Sequence, residues 1–157
     1  MSTDPMSPQC VERVQASWRR LKPQAATVAA LFYGRLFEID ASLRPLFRGD
    51  LQAQGAKLTS ALDFVVEGLD DLPPRLPAVR ELARRHVGYG VQERDYDTVG
   101  EALLWTLGQG LAGEDGLEDT LAAWTEAYGL VAGTMKRAAW PQSAGAAEWA
   151  AWAAPAG

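Results

Sequence analysis

The stretch Pro77-Ala78-Val79-Arg80-Glu81-Leu82-Ala83-Arg84-Arg85-His86-Val87-Gly88-Tyr89 holds the only histidine of the 157-residue chain. His86 follows Val79, Leu82 and Ala83 at the seven-, four- and three-residue spacings that put all four on one face of a helix. That face is otherwise apolar, so the imidazole points inward. A buried polar group without a partner is costly. The ring therefore needs a carbonyl, a carboxylate or a metal. The stretch alone leaves two readings open, a core histidine satisfied internally or a ligand.

Working outward, the chain reads as helix after helix. Ser7 as N-cap and Pro8 in the first turn open a helix whose Val11, Val14, Trp18 and Leu21 form one apolar face. Pro23 ends it. A second helix runs from about Gln24 to Phe37, and Asp40 to Phe47 reads as a short helical corner. Arg48-Gly49-Asp50 is a turn. Leu51, Leu58, Leu62, Val65, Val66 and Leu69 stripe the next helix. Asp70 to Pro74 breaks it before the histidine helix, which Gly88 and Gly90 close. Asp95 is expected to cap a further helix with Val99, Leu103, Thr106, Leu107 and Gly110 inside. After a turn at Gly113 to Gly116, Leu117, Leu121, Trp124, Tyr128, Val131 and Met135 stripe the last. No strand pattern or internal repeat appears. The expectation is an all-α fold of seven or eight helices in one domain over residues 1–140. Residues 141–157 form an Ala-rich tail with Trp149 and Trp152, expected to be a short helix or disordered.

Composition narrows the function. A net charge of −5 with no concentrated basic patch argues against nucleic acid as a partner. No apolar run approaches a membrane span, and Met1 to Pro8 lacks a signal-peptide core. Cys10 is alone, so no intrachain disulfide forms. A cytoplasmic location is expected. There is no phosphate loop, nucleophile–base pair or Cys-x-x-Cys site. One histidine and one cysteine make a protein-only zinc site improbable.

Two more polar residues stand on inner faces, Tyr33 on the second helix and Gln54 on the leucine stripe. A glutamine facing a core needs a partner. The plain alternative is a half-exposed Gln54 near its helix start and a Tyr33 hydroxyl that reaches solvent. A polar ligand shared between the helices accounts for both at once.

The chain resembles the globins, specifically the single-domain bacterial haemoglobins and the globin domain of flavohaemoglobins. The resemblance is carried by Phe32-Tyr33 with Leu36-Phe37, then Arg44-Pro45-Leu46-Phe47, Leu76-Pro77-Ala78-Val79 and Arg85-His86. Tyr96-x-x-Val99-Gly100-Glu101-x-Leu103-Leu104 and Ala123-Trp124-x-x-Ala127-Tyr128-Gly129 follow, and these two blocks also resemble neuroglobin. It extends from about Val11 to Arg137. It implies the globin fold around haem b, iron protoporphyrin IX. His86 then matches the proximal iron ligand. Phe47 matches the phenylalanine packed on the haem, Gln54 the distal position, Leu58 the residue one turn later, and Tyr33 the distal tyrosine. Lys57 and Arg85 match propionate partners. Leu82, Val91, Tyr96 and Val99 complete the expected haem contacts, and Gly55 with Ala29 fits a close helix crossing.

The resemblance further implies reversible O2 binding for storage, delivery or scavenging, with NO, CO or nitrite as other ligands. Tyr33 and Gln54 can both donate hydrogen bonds, so tight O2 binding with slow release is expected. With no second histidine, bis-histidyl ligation within the chain is excluded, unlike neuroglobin. The chain departs from its relatives at Ala139, where ungapped counting places a glutamate that would pair with the proximal histidine. His86 is expected to donate instead to a carbonyl such as that of Leu82, with a weaker electronic push on the iron. Nitric oxide dioxygenation is the enzymatic alternative. It would need a separate reductase, because no flavin and nicotinamide segment occurs in these 157 residues. A gas or redox sensor and a haemless regulator are the remaining alternatives. Monomer and homodimer are both compatible with the sequence.

Overall fold

The computed structural model describes residues 6–47 and 49–141, and among them the architecture is all-α with no strand. Six α-helices follow one another: α1 (Pro8–Leu21), α2 (Ala25–Ile39), α3 (Leu51–Glu67), α4 (Leu76–Gly88), α5 (Asp95–Gly110) and α6 (Leu117–Ala139). Short 3₁₀ segments at Lys22–Gln24, Ala41–Leu46, Leu69–Asp71 and Pro73–Arg75 connect them. The expected count of seven or eight helices is thus corrected to six among the described residues. The missing members are the prolyl corners. Pro45, Pro73 and Pro74 donate no backbone hydrogen bond, and the chain there closes only tighter 3₁₀ turns. The tail from residue 142 onward lies outside the described residues.

Local chemistry explains most boundaries. Ser7 Oγ accepts from Cys10 N at 3.2 Å to start α1, and Asp50 accepts from Gln52 N at 3.0 Å to start α3. Asp95 corrects the expectation. Arg94 is the N-cap of α5, and Asp95 is its first residue. The buried Asp95 carboxylate reaches back to accept from Gln92 N at 2.8 Å. One position past the cap it still faces the positive end of the dipole, so an acid signals that start from either position.

Helix α2 packs on α3 and α5, α4 on α6, and α1 on α6. The apolar interior divides into two clusters. The larger gathers Val14, Trp18, Leu36, Leu103, Leu107 and Trp124 with their neighbours. The smaller, formed by Val79, Ala83, Tyr96, Ala132 and Met135, underlies α4. Fully burying Leu36 or Leu107, each 0% exposed, is worth about 1.5–3 kcal/mol. The two indoles of the larger cluster meet edge to face at 6.4 Å. Each has a partner for its N–H: Trp18 donates to Asp63 Oδ1 at 2.9 Å and Trp124 to Ser17 Oγ at 2.8 Å.

Candidate functional site

Two groups of side chains, one in each cluster, make up the candidate site. On α4, His86 is half-buried above Val79 and Ala83, as its spacing demands. Its Nδ1 lies 2.8 Å from the carbonyl oxygen of Leu82, one turn back. A carbonyl only accepts, so Nδ1 carries the proton. Burial holds the imidazole pKa below its ordinary value of 6.5, against the opposing pull of that carbonyl. The ring is therefore neutral at physiological pH, and Nε2 presents a lone pair. Tyr96 of α5 lies beside it, with ring centroids 6.4 Å apart. The Tyr96 hydroxyl is buried without a hydrogen-bond partner, and burial pushes its pKa up to about 12. Tyr128 of α6 donates its hydroxyl to the Tyr96 carbonyl at 2.5 Å, joining α6 to the start of α5. Gly100 makes room for that ring, since a Cβ there would meet Tyr128 Cε2 at 2.7 Å.

On the other side, Tyr33 of α2 is 6% exposed and stands in an aromatic nest. Its ring centroid is 5.2 Å from Phe47, 5.2 Å from Phe32 and 6.1 Å from Phe37. Burial pushes the Tyr33 pKa up to about 12, so the phenol stays protonated and able to donate. Helix α3 comes close at Gly55, where an added Cβ would lie 2.9 Å from Ala29 Cβ and 3.8 Å from Tyr33 Cε2. The expected close crossing is therefore present, and it brings the Gln54–Gly55 turn of α3 against the Tyr33 ring. Gln54 itself is half-buried.

The remaining expected residues fall as follows. Leu58 and Val99 are half-buried against the larger cluster, Leu82 and Val91 against the smaller. The Val91 amide also donates to the His86 carbonyl at 3.0 Å. Lys57 and Arg85 are exposed, and Arg85 lies 3.8 Å from Glu81. Tyr33, Phe47 and the α3 crossing are brought together, as are His86, Leu82 and Tyr96. The bond from Tyr128 to the Tyr96 carbonyl has no signal in the local pattern. Gln15, which donates to the Val66 carbonyl at 3.0 Å and to Asp70 at 3.2 Å, could have been found from its place four residues after Val11.

The donor set fits an iron porphyrin better than a bare ion. Among the described residues no group of three His, Cys, Asp or Glu side chains could hold a metal. A metal at His86 would have to bring most of its ligands with it, and a porphyrin iron does so. Half-buried apolar side chains along α3, namely Leu58, Leu62 and Val65, suit the face of such a macrocycle.

An all-α fold with one half-buried imidazole on α4 and a buried phenol on α2 defines the class. The Globin family model matches residues 30–135. The chain is 32% identical over 133 residues to a flavohemoprotein of Chromobacterium violaceum, an alignment covering 83% of this chain and 33% of that protein. A flavohemoprotein of Halalkalibacterium halodurans is 31% identical over 135 residues, covering 84% and 33%. The chain thus spans about a third of the length of these curated relatives. Among solved structures, the engineered carbene transferase RmaNOD from Rhodothermus marinus, which carries a nitric oxide dioxygenase assignment, superposes with a TM-score of 0.76 at 30% identity. That match covers 85% of this chain and 93% of the other. A bacterial globin from Campylobacter jejuni, 24% identical, shares the fold with a TM-score of 0.74 over 85% of this chain and 96% of that one. The chain belongs to the globin family.

Proposed function

We propose that this chain is a haem b-binding globin, its globin domain spanning residues 1–140, which reversibly binds O2 in the cytoplasm for storage, delivery or scavenging. The observation that carries the reading is the 2.8 Å bond from His86 Nδ1 to the Leu82 carbonyl, which leaves Nε2 as a fixed, unprotonated donor atom. Haem, when bound, would supply an iron centre able to hold a diatomic gas. His86 would hold the iron through Nε2, and Leu82, Val91, Val99 and Tyr96 would line the same side of the cofactor. Lys57 and Arg85, both exposed, reach the acidic edge of the cofactor. On the other side, Tyr33 and Gln54 would donate hydrogen bonds to the bound gas, while Phe47 and Leu58 would keep water away. Donors fixed in a dry pocket stabilise charge better than water does.

Nitric oxide dioxygenation with a separate reductase is the second reading, favoured by the likeness to RmaNOD. Position 139 weighs against fast turnover, because an alanine there gives His86 no carboxylate partner. NO consumption by the oxygenated protein, with and without a reductase, separates the two readings.

The test of the first is a spectral series on ferric, ferrous and CO-bound protein. A Soret band is expected, and His86→Ala is expected to lose stable haem. Absence of that band after hemin is added, or normal haem content in the variant, would refute the assignment.

A further inference from the structure

Helix α4 also carries an exposed basic face that adjoins the pocket. Residues 75–89 hold four arginines and one glutamate, a charge of +3 in a chain of −5, so everything else carries −8. Arg84 and Arg85 have side chains 59% and 62% exposed, and both turn to the one carboxylate of Glu81, at 3.4 and 3.8 Å. One acid does not neutralise two guanidiniums. Beside them stand Val87 and Tyr89, 43% and 63% exposed, two of the four large hydrophobic side chains left out of the core among the described residues. The Tyr89 ring centroid lies 6.3 Å from that of His86. A solvent-facing aromatic with a cationic border therefore sits almost against the half-buried imidazole.

We propose that this face, centred on Tyr89 and bordered by Arg84 and Arg85, docks an acidic one-electron donor protein that delivers electrons towards His86. The inference rests on the haem reading above. An apolar centre with a charged rim is how protein surfaces pair, the aromatic anchoring and the rim steering. Charge selects an acidic partner, and the short Tyr89–His86 separation selects a redox one. Glu81 within the rim makes an anionic membrane a poorer fit than a shaped protein surface. The step transfers one electron. The donor's reduced flavin loses it and ferric iron gains it to become ferrous, with no bond made or broken.

The probe is a reduced flavodoxin, an acidic flavoprotein, mixed with the haem-loaded ferric protein. Reduction is followed by stopped flow from low to high salt, and complex formation by the anisotropy of labelled flavodoxin with the haem-loaded and haem-free chain. The expected rate falls steeply with salt, since opposite charges are screened. Arg84→Glu is expected to lower both rate and affinity about tenfold at low salt and to converge on the parent at high salt. Tyr89→Ala is expected to lower both by a similar factor at every salt concentration. Reduction by dithionite stays unchanged in both variants. A rate that ignores or rises with salt, variants that match the parent, or salt-sensitive binding to anionic lipid vesicles without flavodoxin binding would overturn the proposal. A chain that takes up no haem refutes the haem reading alone, and the anisotropy of the haem-free protein still decides the docking face.

Discussion

Replacing Gly55 with alanine tests the crossing that brings α3 against Tyr33. The added Cβ would stand 2.9 Å from Ala29 Cβ, whereas carbon atoms rest at about 3.5–4.0 Å. Both atoms are rooted in helix backbone, so no rotamer relieves the overlap, and the helices must separate by roughly half an ångström or more. Overpacking of this kind costs about 1–3 kcal/mol. Alanine returns up to about 1 kcal/mol through its better helix propensity. The net expectation is a loss of about 1 kcal/mol, read as a lower urea midpoint at constant slope. Ala29→Gly in the same molecule moves the small residue to the partner helix and removes the clash. The double variant should therefore recover, with an interaction energy of about 1–2 kcal/mol in the cycle. Stabilisation by Gly55→Ala alone, or a cycle additive within about 0.5 kcal/mol, would refute the close-packing argument.

Three further predictions follow from single side chains. Tyr33→Phe removes the buried phenol donor, and a hydrogen bond to a charge-bearing acceptor is worth about 1.5–3 kcal/mol. O2 dissociation should then accelerate roughly 10- to 100-fold in stopped flow, and an unchanged rate would place the hydroxyl elsewhere. Tyr96→Phe deletes a buried hydroxyl that has no partner, so urea unfolding should show no loss of stability and a gain of up to about 1 kcal/mol; a clear loss would mean that the hydroxyl is bonded. The bonds from Lys22 and Trp18 hold the Asp63 carboxyl below its ordinary value of 3.8. Its folded pKa is depressed, so its contribution is full above that ordinary value and disappears as pH falls through the folded one. Asp63→Asn should flatten the stability profile in this acid window, and an identical profile would contradict the shift.

How far the molecule was legible depended on the range of each interaction. Val11, Val14, Trp18 and Leu21 advertise α1 by spacing, and all four are buried. The His86–Leu82 bond was also legible, because it spans one helical turn. The α3 stripe is different. Leu58, Leu62 and Val65 are only half-buried, because periodicity reveals an apolar face without revealing what covers it. At Pro45 and Pro73 the pattern showed a bend but could not separate 3₁₀ from α geometry. The bond from Tyr128 to the Tyr96 carbonyl joins residues 32 apart. It follows from how α5 and α6 lie together, and no local spacing encodes it.

The Leu82 carbonyl that holds the imidazole belongs to the same helix as His86. Side chain and backbone therefore turn as one rigid rod, and the bearing of the ring is steered from the seam where α4 rests on α6. That seam is lined by Val79 and Ala83 on one side and by Ala132 and Met135 on the other. These side chains are small or flexible and well buried, so exchanging one for a bulkier residue would shift α4 against α6 at some cost in stability. The seam works as a rudder for the one histidine, set at a distance and adjustable without altering any group in the pocket.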